Sequence, residues 1–300
     1  LGESNTIFTR YSLDYSSLRM PAELLTGKEA AESLYEELKP LIKKLDPKLV
    51  IIQVGEEATS TVYIEHKKKA CEQIGMRCEH VMLDFHSTFE TLLEVVERLN
   101  ADDDVTGIVV QLPLPPHLAA ALPLIQRAIH PKKDVDGFTA YNLGKIFLSK
   151  DFEHLPPATP AGIIALLEYY HVSLAGKHVV IVGRSNLVGK PLAIMCLNRD
   201  ATVTVCHSKT TDLHQKTLQA DILISAVGSP KMITADMMKK GVVVIDVGIT
   251  RTDNGTLQGD VDFDAVKELA SAITPVPGGV GPMTVASVIK NTVRAKERQI

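Results

Sequence analysis

Two α/β domains, each built on a parallel sheet with helices on its faces, are predicted by three features of this sequence. Continuous apolar runs at residues 49–54 and 179–182 lack the alternation of a half-exposed strand, so they read as strands buried on both faces. Helix-length stretches with apolar residues three or four apart separate such runs, the order that βαβ units require. A polar connection over residues 132–160, bearing Pro156, Pro157 and Pro160, divides the pattern into two halves.

Leu24, Leu25, Ala31, Leu34, Leu38 and Leu41 predict a first helix over residues 21–45. A buried strand over 49–55 ends at Gly55, and a helix over 58–74 ends at Gly75, a residue suited to a left-handed cap. A strand over 79–83, a helix over 88–99 and a strand over 107–112 complete a βαβαβ run that stops at Pro113-Leu114-Pro115-Pro116. The boundary is placed near residue 155. The second half predicts a helix over 161–170 and strands over 178–183, 202–206, 221–226, 242–247 and 272–274, with a helix over 189–197 between the first two strands. A last helix over 285–298 is expected to pack back on the first domain. The division is thus 1–155, joined by residues 284–300, and 156–283.

Of 300 residues, 45% are hydrophobic and 23% charged, which is the composition of a globular protein able to bury two cores. The net charge of −4 and the lack of Trp leave neither the electrostatic footprint nor the stacking platforms of a nucleic-acid binder. No uncharged stretch is free enough of proline and glycine to span a membrane. Cys71, Cys78, Cys196 and Cys206 form no CxxC pair and no zinc-ligand spacing, so no metal is expected. Leu1-Gly2-Glu3-Ser4 has neither the basic nor the apolar region of a signal peptide. A cytoplasmic location is expected, with a processed organellar form as the alternative.

After the strand over 179–182 comes Gly183-Arg184-Ser185-Asn186-Leu187-Val188-Gly189, a glycine-bearing turn into a helix. Such a turn aims backbone N–H groups and a helix N-terminus at an anion, as in Rossmann-like dinucleotide-binding domains. The spacing is G-x-S-x-x-x-G, with Ser185 where a dinucleotide fingerprint has glycine. An NAD site places Asp or Glu at the tip of the next strand. Here that tip reads Cys206-His207-Ser208-Lys209-Thr210, with no carboxylate, while Arg184 can meet a 2′-phosphate. The expected cofactor is NADP.

Chemistry-bearing residues sit mostly in the first half. Tyr63 and Lys67 are one helical turn apart and share a face, away from Lys68 and Lys69. A lysine desolvated at a cleft has a lowered pKa and can move protons near neutral pH. Gln111 ends a parallel strand, where its amide can bond an amine without forming an ion pair. In Lys133-Asp134-Val135-Asp136-Gly137 one acid is expected to bond a ligand and the other to be structural. Finally, Pro275-Val276-Pro277-Gly278-Gly279-Val280-Gly281-Pro282-Met283 alternates stiff and permissive backbone without any charge, suiting a wall for a flat ligand.

With these motifs in order, nearly the whole chain resembles the bifunctional methylenetetrahydrofolate dehydrogenase/methenyltetrahydrofolate cyclohydrolase family. The resemblance rests on Tyr63-x-x-x-Lys67, Val110-Gln111-Leu112-Pro113-Leu114-Pro115, Lys133 to Phe138, the Gly183 turn and Pro275 to Thr284. It implies NADP-dependent oxidation of 5,10-methylenetetrahydrofolate and hydrolysis of the product to 10-formyltetrahydrofolate. It implies an N-terminal αβα catalytic domain and a C-terminal NAD(P)-binding domain, in a homodimer using tetrahydrofolates that carry polyglutamate. Catalytic roles fall on Lys67, Tyr63, Gln111 and Asp136, with Lys67 managing protons, Gln111 orienting it, Tyr63 against the aminobenzoyl ring and Asp136 on the pterin. Val110, Leu112, Pro275, Pro277, Gly278 and Gly279 join the substrate site. Gly183, Arg184, Ser185, Ser208 and Ile249 match cofactor contacts. Ala158 stands where many relatives have Cys, which alters none of these roles. The alternatives are a dehydrogenase with little cyclohydrolase activity or with NAD preference, and a non-catalytic nucleotide- or folate-binding module.

Overall fold

The computed structural model describes residues 22–252 and 255–299. The expectations for Leu1 to Ser4 and for the start of the first helix at Pro21 lie outside them. Strand β1 (Glu23–Leu24) leads to helix α1 (Gly27–Leu45), and then β2 (Lys48–Val54), α2 (Ala58–Ile74), β3 (Arg77–Leu83), α3 (Phe89–Ala101) and β4 (Gly107–Val110) form the first unit. Short helices α4 (Pro116–Ala119), α5 (Leu122–Ala128) and α6 (Ala140–Ile146) follow, then α7 (Ala158–Tyr169). The second unit continues with β5 (His178–Val182), α8 (Gly189–Leu197), β6 (Thr202–Cys206), α9 (Leu213–Thr217), β7 (Ile222–Ser225) and β8 (Val243–Asp246). A two-stranded ribbon of β9 (Thr250–Arg251) and β10 (Leu257–Gln258) precedes α10 (Phe263–Val266), β11 (Ala272–Ile273) and α11 (Val280–Glu297).

Local chemistry explains the boundaries. The Glu57 carboxylate accepts from Ser60 N at 2.7 Å to start α2, and Gly75 ends it at φ 74°. Thr88 caps α3 in the same way, accepting from Thr91 N at 3.2 Å. In β2 every residue from Leu49 to Val54 is buried, as a strand covered on both faces must be.

All strand pairs of the two large sheets are parallel. The first has the order β3-β2-β4 and the second β1-β11-β8-β7-β5-β6. In each, the chain reverses direction beside a central strand, between β2 and β4 and between β5 and β7. Ligands of open α/β sheets bind at such reversals, beyond the C-terminal strand ends.

Three expectations change. The first helix starts at Gly27 because Glu23 and Leu24 pair with β11, with Glu23 N donating to Ser271 O and Leu25 N to Ile273 O, both at 2.9 Å. An exposed strand edge offers a free hydrogen-bonding row, and these residues occupy it. Glu23 and Leu24 therefore form an edge strand of the second sheet. The connection over 132–160 is no bare linker, since it contains α6, started by Thr139 Oγ1 accepting from Asn142 N at 3.3 Å. Lastly, α11 begins at Val280 rather than Val285, with Pro282 in its first turn, where a missing N–H costs no helical bond.

Helix α11 packs along α7 and α1 and reaches α2. One apolar cluster runs from Ile51 and Ile64 through Ile163 and Ile289 to Ile181 and Ile224, so the two units share a continuous core. Asn291 on α11 is buried within it. Its Nδ2 donates to Val135 O at 2.9 Å and to Pro156 O at 2.8 Å, pinning both ends of the connection. Replacing Asn291 with Ala strands two buried carbonyls. The expected outcome is a loss of about 2–4 kcal/mol in unfolding free energy, read from the urea midpoint, whereas a loss below about 0.5 kcal/mol would show that the carbonyls find other donors.

Candidate functional site

At the β2/β4 reversal, helix α2 lays Lys67 against the end of β4. Lys67 is buried, 6% exposed, and its Nζ donates to Gln111 Oε1 at 2.9 Å. Gln111 Nε2 donates to Leu112 O at 2.9 Å, which turns the amide so that its oxygen faces the amine. Burial pushes the Lys67 pKa down, opposed by the negative charge of Asp136. An uncharged amide oxygen satisfies the amine in either protonation state, so nothing in direct contact locks the ammonium form.

The two acids of the connection divide their work. Asp134 Oδ1 accepts from Gly137 N and Phe138 N, and Oδ2 from Thr139 N and Asn142 Nδ2, at 2.8–3.1 Å. That carboxylate builds a turn, with Gly137 at φ 77°. Asp136 is half-buried; its backbone carbonyl accepts from Ala158 N at 3.2 Å, but its carboxylate makes no hydrogen bond or ion pair among the described residues. Burial pushes its carboxyl up to about 6 despite the pull of Lys67. With Val110 and Leu112 it lines a narrow recess beyond β4.

Between the two units lies a largely apolar cleft of about 580 Å³. Tyr63 and His66 of α2 form one wall, and Ile249, Pro277 and Gly278 the other. Contrary to the shared face expected, Tyr63 lines the cleft with Lys69, while Lys67, one turn on from Tyr63, is buried at the sheet edge. Lys68 pairs outward with Glu65 at 2.8 Å. Pro275 and Gly279 are not among the cleft's lining residues. They shape the loop, because a Cβ on Gly279 would lie 2.6 Å from Pro275 O. Gly27 N donates to Gly278 O at 2.8 Å, tying the start of α1 to the same loop.

The cofactor motif forms the β5/β7 reversal. Gly183 adopts φ 128°, and a Cβ there would strike the Ala226 carbonyl, while a Cβ on Gly189 would strike the Gly183 carbonyl. Ser185 Oγ accepts from Val188 N at 3.1 Å and Gly189 N at 3.4 Å, so its oxygen supports the turn and its proton remains to donate. Arg184 and Ser208 are exposed, and Arg184 has no ion pair among the described residues. Ser208 sits in a turn closed by His207 N donating to Thr210 Oγ1 at 2.8 Å. A compact turn with an unpaired guanidinium beside it suits a phosphate-bearing dinucleotide. Among the described residues no three His, Cys, Asp or Glu gather as metal ligands.

Sequence reasoning missed two buried acids in the second unit. Asp246, at the end of β8, accepts at Oδ1 from Gly248 N and Asp260 N, both at 3.0 Å, and at Oδ2 from Val261 N at 2.9 Å. Asp260 accepts from Ser225 Oγ, Val227 N and Ser229 N at 2.8–3.1 Å. Together they tie the ends of β7 and β8 to the β9–β10 ribbon, which Ile249 enters. Gly248 and Gly259 flank them closely enough that a Cβ at either would strike a carboxylate. The readable signal was Asp246-Val247-Gly248 with Gly259-Asp260-Val261, an acid beside glycine at a strand end. Missed too was Gln53 near the end of β2, whose buried Oε1 has no hydrogen-bond partner among the described residues.

Residues 25–136 match the family described as tetrahydrofolate dehydrogenase/cyclohydrolase, catalytic domain, and residues 157–300 its NAD(P)-binding domain. "Bifunctional protein FolD" of Vesicomyosocius okutanii subsp. Calyptogena okutanii is 49% identical over 279 residues, covering 92% of this chain and 99% of that protein. The crystal structure of the bifunctional enzyme FolD, methylenetetrahydrofolate dehydrogenase/cyclohydrolase, from Campylobacter jejuni has a TM-score of 0.88 at 44% identity. It covers 93% of this chain and 100% of its own. The Trypanosoma brucei enzyme, complexed with NADP cofactor and inhibitor, has a TM-score of 0.88 at 36% identity, covering 93% and 98%.

Asp260→Asn puts an NH2 group among N–H donors. It should lower stability by about 2–3 kcal/mol and raise the KM for the dinucleotide more than that for the second substrate, as the ribbon loosens. Equal changes in both constants would separate the ribbon from cofactor binding.

Proposed function

The chain belongs to the tetrahydrofolate dehydrogenase/cyclohydrolase family, and from that premise we propose which residues carry its two reactions. It oxidises 5,10-methylenetetrahydrofolate with NADP+ to the 5,10-methenyl form and hydrolyses that to 10-formyltetrahydrofolate. The observation that carries the assignment is the buried Lys67–Gln111 contact beside Asp136 at the β2/β4 reversal.

Bound NADP+ supplies the hydride acceptor for the first step. The Gly183–Gly189 turn and Ser185 hold its phosphates, Arg184 pairs with the 2′-phosphate, and Ser208 and Ile249 complete its contacts. The apolar wall of Pro277 and Gly278 excludes water and helps align two flat rings, the main requirement of hydride transfer. Pro275 and Gly279 hold that wall in shape. Tyr63 packs on the aminobenzoyl ring. The open Asp136 carboxylate accepts N–H bonds from the pterin's amino-pyrimidine edge, while Val110 and Leu112 flank it.

Hydrolysis needs a proton taken and a proton given. Water adds to the amidinium carbon of the methenyl compound, forming a C–O bond as Lys67, in its amine form, accepts the water proton. The tetrahedral adduct then opens: its hydroxyl releases its proton to solvent as the C=O bond forms, the bond to N5 breaks, and N5 receives a proton from Lys67, leaving the formyl group on N10. A lysine whose pKa is lowered by burial exchanges protons near neutral pH, and Gln111 keeps it aimed in both states.

No helix among the described residues is long and apolar enough to cross a membrane. A homodimer paired through the cofactor domains, polyglutamylated folates and a cytoplasmic location go with this reading.

A spectroscopic assay of both steps with NADP+ and with NAD+ tests the reading. Lys67→Met keeps the apolar stem and removes the proton carrier. Methenyl hydrolysis should fall by roughly 10²–10⁴-fold while tetrahydrofolate binding changes little. Unchanged methenyl decay would remove Lys67 from the mechanism. The pH test concerns Asp136, whose carboxyl sits near 6, above its ordinary 3.8. It is an ionised acceptor above pH 6 and protonated below. Tetrahydrofolate affinity should hold from pH 8 to 6.5 and weaken toward pH 5 in the parent, and be weak but flat in Asp136→Asn. Parallel profiles would assign the titration to another group.

A further inference from the structure

A second cavity, of about 250 Å³, lies away from the cleft, between α6, the C-terminal end of α11 and the chain near residues 131 and 154. Lys132, Lys145 and Arg298 converge on it with His154, Tyr141 and Asn142. No carboxylate lines it, and none of the three cations forms an ion pair among the described residues. Elsewhere in this chain of net charge −4, Lys48, Lys68, Arg77 and Lys239 each pair with an acid. His154 reports the uncompensated field. Its pKa is held down by burial and then by the positive charges of Arg298, Lys145 and Arg294.

The walls are fixed rather than loose. Gln299 Nε2 donates to Lys132 O and Thr106 O, both at 3.0 Å, anchoring the end of α11 beside Lys132. Asn142 Nδ2 donates to Pro131 O at 3.0 Å and to Asp134 Oδ2 at 2.8 Å, so Asn142 stands between this cavity and the turn that carries Asp136. Tyr141 is exposed, with Lys145 Nζ 4.4 Å from its ring centroid, giving an aromatic face next to a cation.

Cations held together on a rigid wall with no acid among them repel one another, and an anion relieves that repulsion. A guanidinium and two ammonium groups suit tetrahedral oxyanions, which accept several charge-assisted bonds at once. We propose that this pocket binds a phosphoryl anion, either free or carried on a nucleoside whose base lies on Tyr141. The proposal does not depend on the assignment of the folate site.

The test uses the full chain with saturating NADP+, so that the cofactor site is filled. Inorganic phosphate, adenosine monophosphate and adenosine are each titrated calorimetrically into the parent, into Lys145→Ala/Arg298→Ala and into Tyr141→Ala. Binding of the phosphorylated probes with Kd on the order of 1 mM or tighter is expected, with at least tenfold weakening in the double variant and none for adenosine. Equal affinities for the first two probes identify the free anion as the ligand. At least tenfold preference for the nucleotide, abolished by Tyr141→Ala, identifies the nucleoside-borne form. The substituted side chains lie outside the catalytic machinery, so dehydrogenase activity within twofold of the parent shows the variants folded. No binding of either phosphorylated probe, undiminished binding in the double variant, or adenosine binding as well as its monophosphate would each overturn the proposal.

Discussion

An amine buried at the C-terminal edge of a parallel sheet must replace its hydration with protein contacts. The contact chosen for Lys67 decides what the site can do. A carboxylate in direct contact would hold the ammonium form and keep its proton. The Gln111 amide oxygen at 2.9 Å instead accepts from the amine without fixing its charge. This arrangement needs β4 to end at Val110, with Gln111 N held by Ile52 O at 2.8 Å while its side chain turns toward Lys67 of α2. It also needs α2 to start at Glu57, so that Lys67 falls at the depth of the strand end. The proline run after Gln111 ends the strand at the required place.

Both units shape their site loops with one device, a buried carboxylate that accepts several backbone N–H groups. Asp134 organises the turn that leaves Asp136 open to the recess. Asp246 and Asp260 organise the ribbon that brings Ile249 to the cleft. An ionised carboxylate bonded in this way pulls irregular backbone into a single shape without a hydrophobic core beneath it. Beside Asp246 and Asp260, glycines are needed at 248 and 259 because a Cβ at either would strike a carboxylate.

Helix α11, β1 and the bond from Gly27 N to Gly278 O join the two units through backbone and apolar contact. The cleft walled by Tyr63 and His66 on one side and Ile249, Pro277 and Gly278 on the other is left for ligands. The proline-glycine loop belongs to both aspects. Its Gly278 carbonyl fastens α1, and its Pro277 and Gly278 line the cleft.

Much was determined by the sequence alone. The strand runs, the Gly75 cap, the glycine-bearing turn and the domain order were readable because they follow from local periodicity and backbone chemistry. Only the tertiary structure decided which residues acquire unusual environments. Residue type alone does not mark Asp134 as the saturated acid and Asp136 as the open one, since the difference lies in how residues 137–142 fold to turn their N–H groups onto Asp134. Nothing local moves Glu23 and Leu24 onto the second sheet, since their partner β11 lies about 250 residues away in sequence. The Asp246–Asp260 network and the acid-free cation pocket are likewise products of distant segments brought together. Burial and charge compensation depend on neighbours in space, and the chain order does not list those neighbours.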